Sequence, residues 1–215
     1  MITHPIYIAV TAATVSMPAS IDGVHAAGQH LIGIALFIAE RDRWGRWRFA
    51  RRARAISAGE TEGALLNWAA ARLPEEAMLI GWNVDHGLVP ALLDAAATAP
   101  PTVAHRFLGG LLPLLTGGVV DMALGHGGAG APTLAAIAAD MAIYAPTWNV
   151  DATAGAWAIG EVGQLRRDLA DEALAIWQTF VRSAGVSGLG AEAATDAWVL
   201  RRHRMNAVAP TDSPA

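Results

Sequence analysis

Two apolar runs near the start of the chain, IYIAVTAATV at 6–15 and LIGIALFIA at 31–39, limit what it can fold into more than any other feature. Their length and β-branched content suit strands buried at the centre of a sheet and adjacent to one another. Both fall well short of the ~20 residues that a membrane-spanning helix needs. The longer stretch Phe107 to Val120 is interrupted by Gly109, Gly110, Pro113, Gly117 and Gly118. No lysine or arginine precedes the first run, so a strand explains it better than a signal-peptide core. The mean hydropathy of +0.34 therefore points to a large buried core rather than to a bilayer, and a soluble, cytoplasmic protein with no membrane partner is expected.

A chain of 215 residues suits one domain with a small extension. An apolar fraction of 53%, only 16% charged residues and eight tryptophans exclude a disordered chain. Cysteine is absent, which removes disulfides, thiolate metal sites and cysteine nucleophiles. All 15 basic residues are arginine, yet the net charge is −4, so any attraction to nucleic acid must come from a local patch.

That patch is easy to find. RDRWGRWRFARRARAI, from Arg41 to Ile56, interleaves seven arginines with Trp44, Trp47 and Phe49 around a turn at Trp44-Gly45, and predicts an exposed hairpin strand. Ser57 and Glu60 stand at capping-box spacing before a helical pattern of Leu65, Trp68, Ala69 and Leu73 that ends at Pro74. AMLIGW at 77–82 reads as another buried strand, followed by a turn from Asn83 to Gly87 and a helix from Pro90 to Ala97. Thereafter the chain reads as mostly helical. A Gly-interrupted helix is predicted over Ala104–Leu115, a loop over GHGGAG at 125–130, a short helix over Thr133–Ala142 and mixed loop over Tyr144–Gly163. Leu165, Leu169, Ala173, Ile176, Phe180 and Ala184 then mark a long helix over Gln164–Ala184, and a last helix spans Ala191–Arg204, with a tail that frays from Pro210.

The order of these segments, with LIGWNVDHGLVPALL at 79–93, VVDM at 119–122, the Thr133–Ala138 helix and QLRRDLADEALAIWQTFVRSAG at 164–185, resembles the ribonuclease H-like 3′–5′ exonucleases related to the proofreading domain of family B polymerases. The resemblance runs from about Tyr7 to Gly185. It implies an α/β fold, a mixed central sheet flanked by helices, over 1–188, with an additional C-terminal helix and disordered tail over 189–215. It also implies four carboxylates around two divalent cations, which generate the attacking hydroxide and stabilise the leaving 3′ oxygen.

Most of those carboxylates are missing. Where the family has Asp-x-Glu-Thr, the matching stretch is Thr11-Ala12-Ala13-Thr14, and Asp22 is the only acid between Met1 and Ala39. In the second motif, Asn83 and Pro90 keep their spacing, but the aspartate position holds Leu88. Asp171 best matches the third-motif aspartate, and the tyrosine and histidine positions before it hold Arg167 and Arg166. The resemblance thus implies a degenerate site of Thr11, Ala13, Asn83, Leu88 and Asp171 and no resident cofactor. Asp85, Asp121 and Asp168 are nearby acids that could substitute in a rearranged site using Mg²⁺ or Mn²⁺; their plainer reading is surface and helix-start charge.

Three functions from different classes follow. The expected one is a catalytically inactive, exonuclease-like subunit that binds single-stranded nucleic acid through Arg41, Arg43, Trp44, Arg46, Trp47, Arg48, Arg51, Arg52 and Arg54, residues that offer phosphate contacts and stacking faces. An active exonuclease with displaced ligands is the second. The third is a structural subunit whose Trp-rich faces pack on a protein partner or a second copy, since Trp and Arg are also favoured at protein interfaces. Arg201, Arg202 and Arg204 either complement a helix dipole or extend the basic face. The GHGGAG loop lacks the Lys-Ser/Thr of a phosphate loop, and neither G-x-S-x-G nor H-E-x-x-H occurs.

Overall fold

The computed structural model describes residues 5–17, 28–57, 59–183 and 190–208. Asp22, the boundary at 188 and the tail from Pro210 lie outside them. The two apolar runs form strands β1 (Ile6–Met17) and β2 (Gly28–Arg41), longer than predicted, and the basic segment forms β3 (Trp47–Ala55). With β4 (Met78–Gly81) and β5 (Val119–Asp121) they build one sheet in the order β3-β2-β1-β4-β5. The first three strands are mutually antiparallel, whereas β4 runs parallel to β1 and β5 parallel to β4. β5 was not predicted as a strand: three residues carry too little pattern to be read.

Both faces of the sheet are covered, which is why its central strands are nearly continuous in apolar residues. On one face lie α1 (Glu62–Ala70), α2 (Val89–Thr98) and α3 (Pro101–Gly117), meeting Ile8, Val10, Leu36 and Leu79. The other face packs against α6 (Val162–Ser183), with α4 (Leu134–Asp140) and α7 (Ala191–Val208), around Tyr7, Ala9, Phe37 and Ile80. In β2 the alternation slips: Leu31 and Ile34 share one face, three residues apart. The register shift opposite Ala13 and Thr14 is the cause, because an inserted residue moves every later side chain to the other face. Gly33, beside that bulge, lets α6 approach, since a Cβ there would overlap Leu169 Cδ1.

Several predicted elements are corrected. α1 starts at Glu62 rather than beside Ser57. The Glu60 carboxylate does accept from Ser57 N (3.0 Å), but this bond closes a turn before the helix, and Thr61 is the N-cap. The predicted turn at Asn83–Gly87 is instead a π-helical turn, Val84–Leu88, that runs directly into α2. α3 is not interrupted: Pro113 sits on its exposed side, and Gly110 faces Leu73, whose Cδ1 would lie 3.3 Å from an added Cβ. The GHGGAG segment is mostly 3₁₀ turns, and Tyr144–Gly163 contains a helix, α5 (Val150–Ala158).

The largest fully buried side chain among the described residues is Trp177 of α6, ringed by Tyr7, Phe37, Trp47, Phe49 and Phe180, with centroids 5.5 to 6.4 Å away. Its indole N–H donates to Thr195 Oγ1 at 2.9 Å, and the Thr195 hydroxyl donates to the Ala191 carbonyl at 2.8 Å. These bonds seat α7, expected as an extension after residue 188, on the same core as the sheet. No helix among the described residues is long and apolar enough to cross a membrane.

Candidate functional site

β1 alternates its side chains, so Tyr7, Ala9, Thr11 and Ala13 face α6. Thr11 Oγ1 donates to Glu172 Oε2 at 2.6 Å, and the Trp148 indole stands beside the same carboxylate. Around this pair opens a cleft of about 270 Å³ lined by Thr11, Thr14, Trp82, Asn83, Leu88 and Glu172. A smaller hollow of about 160 Å³ lies on the Trp148 and Val150 side of the same glutamate. Asn83 is held in the left-handed region (φ 54°) between β4 and the π-turn, a conformation that asparagine tolerates better than most residues. Its carbonyl accepts from Gly87 N and Leu88 N, which fixes Leu88 at the cleft.

The structure therefore brings Thr11, Asn83 and Leu88 together, with Ala13 on the neighbouring hollow. It does not bring Asp171 to them. Asp171 Oδ1 accepts from Arg51 Nη2 at 2.6 Å, turned toward β3, and the acid that faces Thr11 is its neighbour Glu172. A helix rotates by about 100° per residue, so consecutive acids cannot share a face. The signal was present in the sequence: Leu169, Glu172 and Ile176 step by three and four along the buried stripe, and Asp171 lies off it.

Burial pushes the Glu172 carboxyl above the usual carboxylate range, against the opposing pull of the Thr11 and Trp148 hydrogen bonds. Among the described residues no arginine or histidine pairs with it. None of the possible substitute acids lines the cleft. Asp85 is exposed on the π-turn. Asp121 accepts from Val84 N (2.8 Å) and Ala123 N (3.0 Å), strapping β5 to the π-turn. Asp168 lies one helical turn before Glu172 and accepts from Gln164 Nε2 at 2.5 Å.

The basic hairpin divides in two. Arg43, Trp44, Arg46, Arg48 and Arg52 are exposed, with the Arg43 guanidinium 4.1 Å from the centroid of the Trp44 ring. The turn is pinned by Asp42, whose carboxylate accepts from Trp44 N and Arg46 N at 2.9 Å; the Arg46 bond foremost holds its pKa below the usual range. Gly45 (φ 80°) supplies the positive φ that closes it. The remaining residues assigned to nucleic-acid contact are occupied within the fold. Trp47 stacks on Phe49 in the core cluster, Arg51 pairs with Asp171, Arg54 pairs with Glu60 at 3.0 Å, and Arg41 folds back against Gly45 with its Nε buried.

Register also separates hairpin and cleft. Ile6 pairs with Glu40, beside the hairpin turn, while Thr14 pairs with Leu31 at the other end of the sheet. At ~3.3 Å per residue, Thr11 lies about 17 Å along β1 from Ile6, so the two candidate regions sit toward opposite ends of the strands. No protein-family model matches the chain, and no curated protein matches it.

Proposed function

We propose that the chain is a ribonuclease H-like domain that has lost the two-metal site and serves, in the cytoplasm, as a nucleic-acid-binding or scaffolding subunit. The strand order β3-β2-β1-β4-β5, with three antiparallel strands followed by two parallel ones, supports the fold that the resemblance implies. The observation that carries the functional reading is the cleft itself. Three of the positions matched to the family's motifs, Thr11, Asn83 and Leu88, line it, but they supply a threonine hydroxyl, an amide and an apolar side chain, with Glu172 as the carboxylate. Two divalent cations need several convergent oxygen ligands, and this donor set does not fit them. The exposed Arg43, Trp44, Arg46, Arg48 and Arg52 supply the surface on which a single strand would lie, combining phosphate contacts with one stacking face.

The test is fluorescence anisotropy of a labelled single-stranded oligonucleotide across a salt series. Neutralising Arg46, Arg48 and Arg52 together should weaken binding uniformly and flatten the salt slope by about 2, at roughly 0.7 per lost phosphate contact. Wild-type binding that ignores salt, or no binding, would favour the purely structural subunit. Mn²⁺-dependent shortening of the oligonucleotide, abolished by Glu172→Gln, would instead establish an active exonuclease.

A further inference from the structure

The largest cavity described, about 370 Å³, lies neither at the cleft nor at the hairpin tip but between β3, α6, α7 and the segment after α4. Its charged residues are Arg51, Asp171 and Arg202, with His203 beside them; Trp198 and Tyr144 provide planar faces. The Arg51–Asp171 pair neutralises itself at 2.6 Å. Arg202 has no carboxylate within ion-pair distance among the described residues, and its guanidinium lies 5.0 Å from the Trp198 ring centroid. The cavity thus holds one cation more than it has anions, beside an indole already disposed for stacking. Burial, and then the nearby charge of Arg202, lower the Arg51 pKa, whereas Asp171 raises it. The two guanidiniums therefore repel across a space that an anion would relieve.

A second observation concerns the wall. α4 ends in a Schellman arrangement, with Ile143 N donating to the Ala138 carbonyl (2.8 Å) and Ala142 N to that of Ala139 (3.0 Å). The left-handed position of that motif is normally glycine, but here it is Ala142, at φ 54°. The strained residue and its successors Ile143 and Tyr144 all line the cavity, and Tyr144 is left 71% exposed at its mouth. Backbone strain of this kind persists where the surroundings over-determine it, and such places concentrate at ligand sites.

We infer that this cavity binds a planar aromatic ligand bearing an anionic group, the anion between Arg51 and Arg202 and the ring against Trp198 and Tyr144. Its volume suits a single small ligand rather than a polymer. Guanidiniums meet phosphate or carboxylate through two parallel hydrogen bonds, so either anion satisfies the chemistry. The site goes beyond the proposed nucleic-acid surface and uses none of its exposed residues.

Isothermal titration calorimetry of the full chain tests it with adenosine 5′-monophosphate and indole-3-acetate as probes, and with adenosine and inorganic phosphate as their separated halves. At least one probe should bind saturably, ten-fold or more tighter than adenosine or phosphate. Which probe wins tells a nucleotide from an aromatic carboxylate. Arg202→Ala, at an exposed position, should weaken that probe by ten-fold or more, and Tyr144→Ala by a smaller factor. An Arg46→Ala/Arg48→Ala variant should bind as tightly as wild type. No saturable binding of either probe up to millimolar concentration, or binding unchanged in Arg202→Ala, would overturn the assignment; loss in the hairpin variant instead would place the ligand on the nucleic-acid surface.

Discussion

Asp171 and Glu172 are adjacent acids on one helix, and their fates differ completely. Asp171, turned toward β3, meets a guanidinium at 2.6 Å. Glu172, turned toward β1, meets a hydroxyl and an indole and no cationic partner among the described residues, and burial raises its proton affinity. The same helix thus carries one carboxylate paired with a guanidinium and one pushed toward neutrality by its surroundings. The difference teaches that a carboxylate in a cleft is not by itself a metal ligand. What surrounds Glu172 suits a carboxyl that hydrogen-bonds, and the charged chemistry of α6 has moved to its other flank.

Both environments depend on α6 staying seated, so the largest effect should come from its anchor. Trp177→Ala removes a fully buried indole and the bond to Thr195, and should cost about 3–5 kcal/mol in urea denaturation. A loss below 1 kcal/mol would mean that α6 does not hold the two acids as described. Next in size is Asp171→Asn, which strands the half-buried Arg51 guanidinium and should cost about 1–3 kcal/mol. Arg51→Met in the same chain should recover most of that loss, because the expense lies in the unpaired cation rather than in the missing attraction. A double variant no better than Asp171→Asn alone would break the ionic half of the comparison.

How far the sequence displays this arrangement depends on burial pattern. β1 and β2 are legible because strands covered on both faces are apolar throughout, and α6 because one stripe, Leu165 to Phe180, is wholly buried. α5 is not legible: VDATAGAWA buries none of its residues fully, so it has no apolar period to read. The hairpin is legible as a strand, but composition cannot say which arginines are free. Alternation along β3 sends Arg51 toward α6 and Arg48 and Arg52 the other way, and only the packed helix reveals Asp171 opposite. At the cleft, motif spacing favours Asp171 whereas the buried stripe carries Glu172, and helical phase decides which of the two faces Thr11.

The neutral half of the comparison is sharpened by pH. A carboxyl whose proton affinity rises on folding binds more protons in the native state, across the interval from the ordinary glutamate range up to its raised native value. Stability from Glu172 is therefore fully present below that interval and declines as pH rises through it. Glu172→Gln keeps an acceptor for Thr11 and removes the ionisation. Its stability at neutral pH should equal or exceed wild type, and the wild-type decline through that interval should flatten in urea titrations run at stepped pH. A variant whose deficit against wild type grows as pH rises would show that the ionised carboxylate is what the cleft holds.

The smallest expected effect concerns the wall of the Asp171 flank. Ala142 occupies the left-handed position that closes α4, where a Cβ crowds the backbone, and relieving it by Ala142→Gly should add about 0.5–1 kcal/mol after the greater flexibility of glycine in the unfolded chain is subtracted. Thermal denaturation would register this as a rise of a few degrees or less. If the strain serves the cavity, the gain in stability should come with weaker binding of whichever aromatic anion the wild type takes, because the freed backbone no longer fixes Ile143 and Tyr144. A variant that is more stable and binds equally well would leave Ala142 as simple crowding, and would locate the preorganisation of that flank in the Arg51–Asp171 pair and the Arg202 stack alone.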